Sequence, residues 1–295
     1  MCSICGLWRN FHARACSRPP PPMTNIFINQ SVNDKSSADQ VSTLGFIFSR
    51  RVARRLGHNA VAHMHWDYAI ILIVLAMIVP WRSRARVRAL LQAPTLDSQE
   101  RIGLYFSTIV FQWALSGIIF WRWSAHGTSF TELGFRLPSL PRATIAAAGL
   151  STMLVLNQVF GIRRLASLPA DKRGLVAQLA ERLLPRTRAE VSAAIGLVLS
   201  VAICEEFIYR GFIEVLFQQI FSSTWSGAVI SAVFFALAHI YQGRRGVLTT
   251  FVVGLVFSMV RVWAGSLWPS ILIHFAVDFA AGAASSRLLT PASKR

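Results

Sequence analysis

Six ionisable side chains in the second half of the chain stand in segments that are otherwise apolar: Glu205, Glu206, Arg210, His239, His274 and Asp278. An ionisable group costs roughly 2.5–3.5 kcal/mol to insert at membrane depth, so such groups rarely occur there without a function. Carboxylates and imidazoles are the groups that general acid–base catalysis uses. The pattern therefore predicts a buried site for proton transfer.

The spacing of the first four residues separates two roles. Glu206 and Arg210 are at i, i+4, in the order that favours an ion pair on one helix face. A buried charge needs such a neutralising partner, so this pair also has a purely structural interpretation. Glu205 is left without a partner on its own helix. We expect that partner to come from another helix, and His239 is the best candidate.

Two further pairs repeat the same spacing. Phe235 and His239 are at i, i+4, as are His274 and Asp278, so each pair shares a helix face. A histidine in a membrane helix can also serve only as a hydrogen-bond partner between helices. His274 and Asp278 could likewise bond only each other. Glu214, near a predicted helix end, is expected at the membrane interface.

The elements that must hold these residues are long apolar blocks. The chain of 295 residues is 54% hydrophobic and only 15% charged, whereas soluble domains carry about 25% charged residues. Blocks of this length can cross a bilayer only as helices. The sequence predicts an all-α, polytopic transmembrane helix bundle of about seven spans, with the motifs on the fourth, fifth and seventh. The blocks are Tyr68–Trp81, Ile102–Trp121, Ala143–Phe160, Val191–Phe217, Trp225–Tyr241, Val247–Trp263 and Leu267–Leu289.

The net charge of +17 follows the loops. Arginines and lysines are concentrated after the first, third and fifth blocks and at the C-terminal end, which is the bias of cytosolic segments. This distribution indicates a membrane topology with the C-terminus in the cytosol. Topology explains the charge, so no nucleic-acid partner is expected. The expected partner of the surface is the lipid bilayer.

The chain divides into four predicted regions. Residues 1–65 form an irregular basic N-terminal tail whose charge contradicts the topology, so we expect a native start at Met64. Residues 66–190 hold N-terminal transmembrane helices and a cytosolic loop. Residues 191–290 form the catalytic membrane core, and residues 291–295 a cytosolic tail.

Three motifs occur in order on separate predicted helices: Glu205-Glu206-x-x-x-Arg210, Phe235-x-x-x-His239 and His274-x-x-x-Asp278. Together they resemble the signature of the CAAX protease and bacteriocin-processing (CPBP, Abi) intramembrane proteases, a family that includes the eukaryotic Ras-converting prenyl endopeptidases. Asp278 stands where the third motif often has Asn, an alternative found in bacterial members. The segment Leu184-Pro185-Arg186-Thr187 is also similar to bacterial members.

The resemblance implies an intramembrane endopeptidase that hydrolyses a peptide bond of a membrane-associated protein or peptide. It implies that Glu205 and His239 activate water, and that His274 and Asp278 face the oxyanion or position the substrate. Glu206 and Arg210 would fix their helix and the local field. The bacterial plasma membrane is the expected location.

Cofactor use stays open at this point. Family naming often says metalloprotease, and Glu205, His239 and His274 could form a three-ligand site for a divalent metal such as zinc. The Glu205–His239 pair could also hold water without a metal. Two other functions remain as alternatives: a non-proteolytic bacteriocin-immunity or membrane assembly factor on the same fold, and a transporter, for which no inverted repeat is evident.

Overall fold

The computed structural model describes residues 64–93, 95–137, 140–169 and 172–289, and the regular elements within these ranges are all helical. This confirms the predicted all-α fold for that part of the chain. The predicted tails lie mostly outside it, since residues 1–63 and 290–295 are not described. The helices are α1 (Trp66–Gln92), α2 (Ser98–Ala125), α3 (Leu140–Ala166), α4 (Gly174–Leu183), α5 (Arg188–Phe221), α6 (Thr224–Ala238), α7 (Gly243–Ala264) and α8 (Trp268–Leu288).

Five of the described helices are long and apolar enough to cross a membrane: α1, α2, α5, α8 and α7 with the turn before it, Ile240–Gln242. A crossing needs about 20 residues, and α6 has 15. The polytopic helical bundle is therefore confirmed, while the count of seven spans stays a prediction. The short helix α4, within the predicted cytosolic loop, was not expected from the apolar blocks.

Local sequence sets where two of the site-bearing helices begin. At the start of α2, the Asp97 side chain accepts from Glu100 N–H and the Glu100 side chain accepts from Asp97 N–H, both at 2.8 Å. At the start of α5, Thr187 Oγ1 accepts from the backbone N–H of Glu190. These caps satisfy backbone donors that the first helical turn leaves without partners.

Helix α5 changes its winding where the motif residues stand. Directly after Glu206, the segment Phe207–Ile213 is π-helical and every residue in it is buried. Such widened turns are rare within α-helices and occur often at functional sites. The wider turn carries Arg210 and connects the two α-helical parts of α5.

The helices around the motifs pack closely. Helix α5 lies against α2, α6 and α8, and α7 lies against α6. At the α5–α6 crossing, a Cβ added to Gly227 would come within 2.5 Å of the Glu214 carbonyl oxygen. At the α6–α7 crossing, a Cβ on Gly254 would meet Ala232 at 3.2 Å. Small residues at such points let membrane helices approach each other.

Two buried ion pairs lie outside the motifs. Arg101 of α2 binds Glu190 of α5, with N–O distances of 2.9 and 3.2 Å. Arg261 of α7 lies 3.6 Å from Glu214 of α5. The side chain of Glu214 is 0% exposed, so it is buried between helices, and its location at the membrane interface stays a prediction. The sequence pattern did not show that Arg261, on another helix, is its partner.

Candidate active site

The Glu206–Arg210 ion pair is formed, and Arg210 joins three helices. Arg210 Nη1 donates to Glu206 Oε1 at 3.0 Å, and both side chains are 0% exposed. Arg210 Nη2 donates to the Gly254 carbonyl of α7 at 3.2 Å. Its guanidinium group lies 4.3 Å from the ring centroid of Phe235 on α6. Phe235, the first residue of the second motif, therefore covers the arginine of the first motif.

His274 connects the first motif to the third. Its Nδ1 atom lies 2.9 Å from Glu206 Oε1, and Nε2 lies 3.5 Å from Asp278 Oδ2. Nε2 also lies 3.9 Å from Glu205 Oε2. The carboxylate of Glu206 accepts, so Nδ1 carries a proton. The structure therefore brings both glutamates of α5 to the same imidazole ring of α8.

His239 presents one ring nitrogen to the site. It is the residue directly after α6, and its Nδ1 atom lies 2.8 Å from the Phe235 carbonyl oxygen. A carbonyl can only accept, so Nδ1 carries the proton and the neutral ring keeps a lone pair on Nε2. His239 is buried, and its ring and the His274 ring both lie near Phe235, with centroid distances of 4.7 and 6.2 Å. All three motifs thus meet in one region.

The immediate partner of Glu205 was predicted wrongly. Its Oε1 atom accepts from Gln112 Nε2 of α2 at 3.0 Å, and no hydrogen bond joins it to His239 among the described residues. Its Oε2 atom is buried and lacks a hydrogen-bond partner in the same part of the chain. Gln112 was missed because only ionisable residues were sought, although an amide in an apolar block is itself a signal.

The arrangement offers two acceptors and one donor. Glu205 Oε2 has no hydrogen-bond partner among the described residues. His239 keeps Nε2 as an acceptor, because its Nδ1 is engaged by the Phe235 carbonyl. His274 supplies N–H groups, since its ring lies between Glu206 and Asp278. A water molecule needs two to four polar partners in a buried site. These groups could hold one water and a polarised carbonyl.

The predicted metal ligands do not form a coordination set in this structure. No group of three or more His, Cys, Asp or Glu side chains among the described residues is arranged to hold a metal ion. His274 Nδ1 is engaged by Glu206, and its Nε2 lies 3.9 Å from Glu205 Oε2.

Comparison with known proteins gives one match. The model of the family described as type II CAAX prenyl endopeptidase Rce1-like matches residues 187–280. This range contains the three motifs, whereas Gln112 lies outside it. No curated protein and no solved structure matches the chain. The match agrees with the family that the motifs predict: residues 187–280 are similar to the type II CAAX prenyl endopeptidases.

Proposed function

We propose that this protein is an intramembrane endopeptidase in which Glu205 and His239 activate a water molecule to hydrolyse a peptide bond of a membrane-associated protein or peptide. The observation that supports this most is Glu205 Oε2, which is buried without a hydrogen-bond partner among the described residues and lies 3.9 Å from His274 Nε2. His239, whose Nδ1 is engaged by the Phe235 carbonyl, keeps Nε2 as a second acceptor. The match to the CAAX prenyl endopeptidases supports the reaction class and a substrate near the membrane surface.

In the proposed reaction, water donates one hydrogen to Glu205 Oε2 and the other to His239 Nε2. Its oxygen attacks the carbon of the scissile carbonyl as Glu205 takes the proton. The negative charge that develops on the carbonyl oxygen is stabilised by the Nε2–H of the doubly protonated His274 ring. General base catalysis of this kind contributes about 10²–10⁴-fold, and one oxyanion donor about 10²–10³-fold.

The tetrahedral intermediate then collapses. The bond from carbon to nitrogen breaks, and protonated Glu205 gives its proton to the leaving amine. The products are a new carboxyl group and a free amine, and the Glu205 carboxylate is restored. The role of Glu206 and Arg210 is to hold the His274 ring through its Nδ1 atom.

A non-proteolytic scaffold would use only part of this arrangement. The contacts among Glu206, Arg210, His274 and Phe235 would stabilise a bundle with or without chemistry. They leave the buried Oε2 atom of Glu205 without a hydrogen bond among the described residues, with only the His274 ring at 3.9 Å, and such an unsatisfied acceptor is costly. Hydrolysis gives that atom a role, and for this reason we favour the enzyme.

The test is proteolysis by purified protein in liposomes. The probe is an internally quenched peptide with a farnesylated cysteine followed by two aliphatic residues and one terminal residue. Glu205→Gln and His239→Gln should lower kcat by about 10²-fold or more, with unfolding temperatures near wild type. The matched control is Glu132→Gln, which changes an exposed carboxylate and should leave kcat unchanged. Full activity of Glu205→Gln would contradict the assigned base.

Substrate identity can be approached without choosing a probe. Terminal proteomics of membrane fractions from cells with wild type and with Glu205→Gln should show protein termini that only the wild type produces. Elemental analysis of the purified protein, before and after dialysis against a chelator, tests Glu205, His239 and His274 as metal ligands. Stoichiometric metal whose removal stops hydrolysis would support that ligand set.

A further inference from the structure

Helix α2 supplies a polar contact to the proposed base from outside the family match. Gln112 Nε2 donates to Glu205 Oε1 at 3.0 Å, and Gln112 lies 75 residues before the matched range begins. We propose that Gln112 is a positioning residue: its amide fixes the Glu205 carboxylate so that Oε2 is the oxygen that meets water. This inference rests on the proposed function of Glu205.

The orientation of the Glu205 carboxylate depends on the donors around it. The terminal torsion of a glutamate is broad and has no sharp rotamer preference. A single donor on Oε1 therefore decides which oxygen faces which neighbour. Here Gln112 occupies Oε1, and Oε2 is left 3.9 Å from His274 Nε2. Without the amide, either oxygen could turn toward His274 and the proposed water.

Helix α2 is held in register with α5. Next to Gln112, Trp113 Nε1 donates to Ser200 Oγ at 3.1 Å. Nearer the N-terminal ends of both helices, Arg101 binds Glu190 through two N–O contacts. Together with the Gln112 contact, these bonds span about four turns of α5, from Glu190 to Glu205. A donor that is fixed along the helix in this way can orient a carboxylate, whereas a donor on a free helix cannot.

A glutamine at position 112 has the chemistry that this role requires. A neutral amide can donate to a carboxylate without adding a second charge beside His274 and Arg210. A cation at position 112 would instead compete with His274 for Glu205. The remaining amide oxygen of Gln112 is an acceptor that could receive a hydrogen bond from a substrate peptide N–H near the scissile bond.

The test compares variants that keep or remove the N–H. Gln112→Met has a similar length and no donor, and it should lower kcat about 10- to 100-fold, as expected when a reacting group is misplaced by about 1 Å, with KM little changed. Gln112→His restores an N–H at a similar reach and should recover most of kcat. The matched control is Gln99→Met, an exposed glutamine on the same helix, which should retain wild-type kcat.

A second measurement needs no substrate. Unfolding temperatures of Gln112→Met, Glu205→Ala and the double variant form a cycle that reports the contact itself. We expect Gln112→Met to have a smaller effect when Glu205 is already alanine. Additive effects would show that the two side chains do not interact and would overturn the proposal.

The two proposals fail in different ways. Full activity of Glu205→Ala would reject the assigned base and with it the proposed function. An inactive Glu205→Ala combined with wild-type kcat in Gln112→Met would reject only the role of Gln112. If Gln112→Met and Gln112→His lower kcat alike, and both unfold at a lower temperature than the wild type, then Gln112 has a purely structural role.

Discussion

At the scale of single residues, the two glutamates of the first motif have opposite surroundings. Glu206 is fully buried and shared between Arg210 and His274. Glu205 has one oxygen that accepts a hydrogen bond from an amide and one without a hydrogen-bond partner among the described residues. Its side chain is 13% exposed. Adjacent residues of one type thus divide into a structural anion and a candidate base, because consecutive helical positions point about 100° apart.

Arg210 should be among the residues most costly to replace. It is the buried cation for Glu206, and removing one partner of a buried ion pair costs about 3–5 kcal/mol. We expect Arg210→Met to lower the free energy of unfolding by about this amount, measured by thermal or denaturant unfolding in detergent. The double variant Glu206→Gln, Arg210→Met should lose less than the sum of the single changes. A free energy of unfolding equal to that of the wild type in Arg210→Met would show that the buried ion pair with Glu206 does not stabilise the protein.

The sequence predicted that the motif residues lie close together better than it predicted the contacts between them. Spacing along one helix was enough for the Glu206–Arg210 pair, since i, i+4 neighbours meet whatever surrounds them. Contacts between helices, such as His274 with Glu206 and Gln112 with Glu205, depend on how helices rotate against each other. A single sequence of apolar blocks carries little information on that rotation, so His239 was chosen as the partner of Glu205 by its residue type.

At the scale of helices, the close α5–α6 crossing gives a sharp prediction. Gly227→Ala would place a methyl group 2.5 Å from the Glu214 carbonyl oxygen, a backbone atom that cannot move independently. Overpacking of this kind costs about 1–3 kcal/mol. We expect a lower unfolding temperature for Gly227→Ala. The control is Gly196→Ala on α5, which has no neighbour within 4 Å of an added Cβ and should keep or raise the unfolding temperature because alanine favours helix.

The contact between the starts of α2 and α5 gives a second prediction about helix packing. Glu190 is fully buried, binds Arg101 and accepts from the Arg186 backbone N–H at 2.8 Å. Glu190→Leu should lower the free energy of unfolding by about 3–5 kcal/mol, since it leaves Arg101 buried without its anion. The matched control is Glu181→Leu, whose carboxylate is 39% exposed and should contribute less than about 1 kcal/mol. Similar losses in both variants would show that the α2–α5 pair has no special role.

At the scale of the whole molecule, one of the helices that hold the site, α6, is shorter than a membrane span. Helix α6 brings Phe235 and His239 to the site, yet its 15 residues are short for a full crossing. The turn Ile240–Gln242 links it to α7, and His239 stands at that turn. The second motif therefore reaches the candidate site where the chain leaves one helix and begins the next.

The charge bias predicts on which side of the membrane each loop lies. The test uses single cysteines, introduced after the native cysteines are replaced by alanine, and a maleimide reagent that does not cross membranes. Ser129→Cys and Gly265→Cys should react in intact cells, whereas Lys172→Cys and Arg244→Cys should react only after permeabilisation, because arginines and lysines favour the cytosol. Opposite sides for Ser129 and Lys172 require that α3 crosses the bilayer. The same side for Lys172 and Arg244 means that α5 and α6 both cross or that neither does, and α5 has the length and hydropathy of a span. Labelling of Arg244→Cys in intact cells, with Lys172→Cys protected, would therefore show that the short helix α6 does not span and would reduce the predicted count of seven.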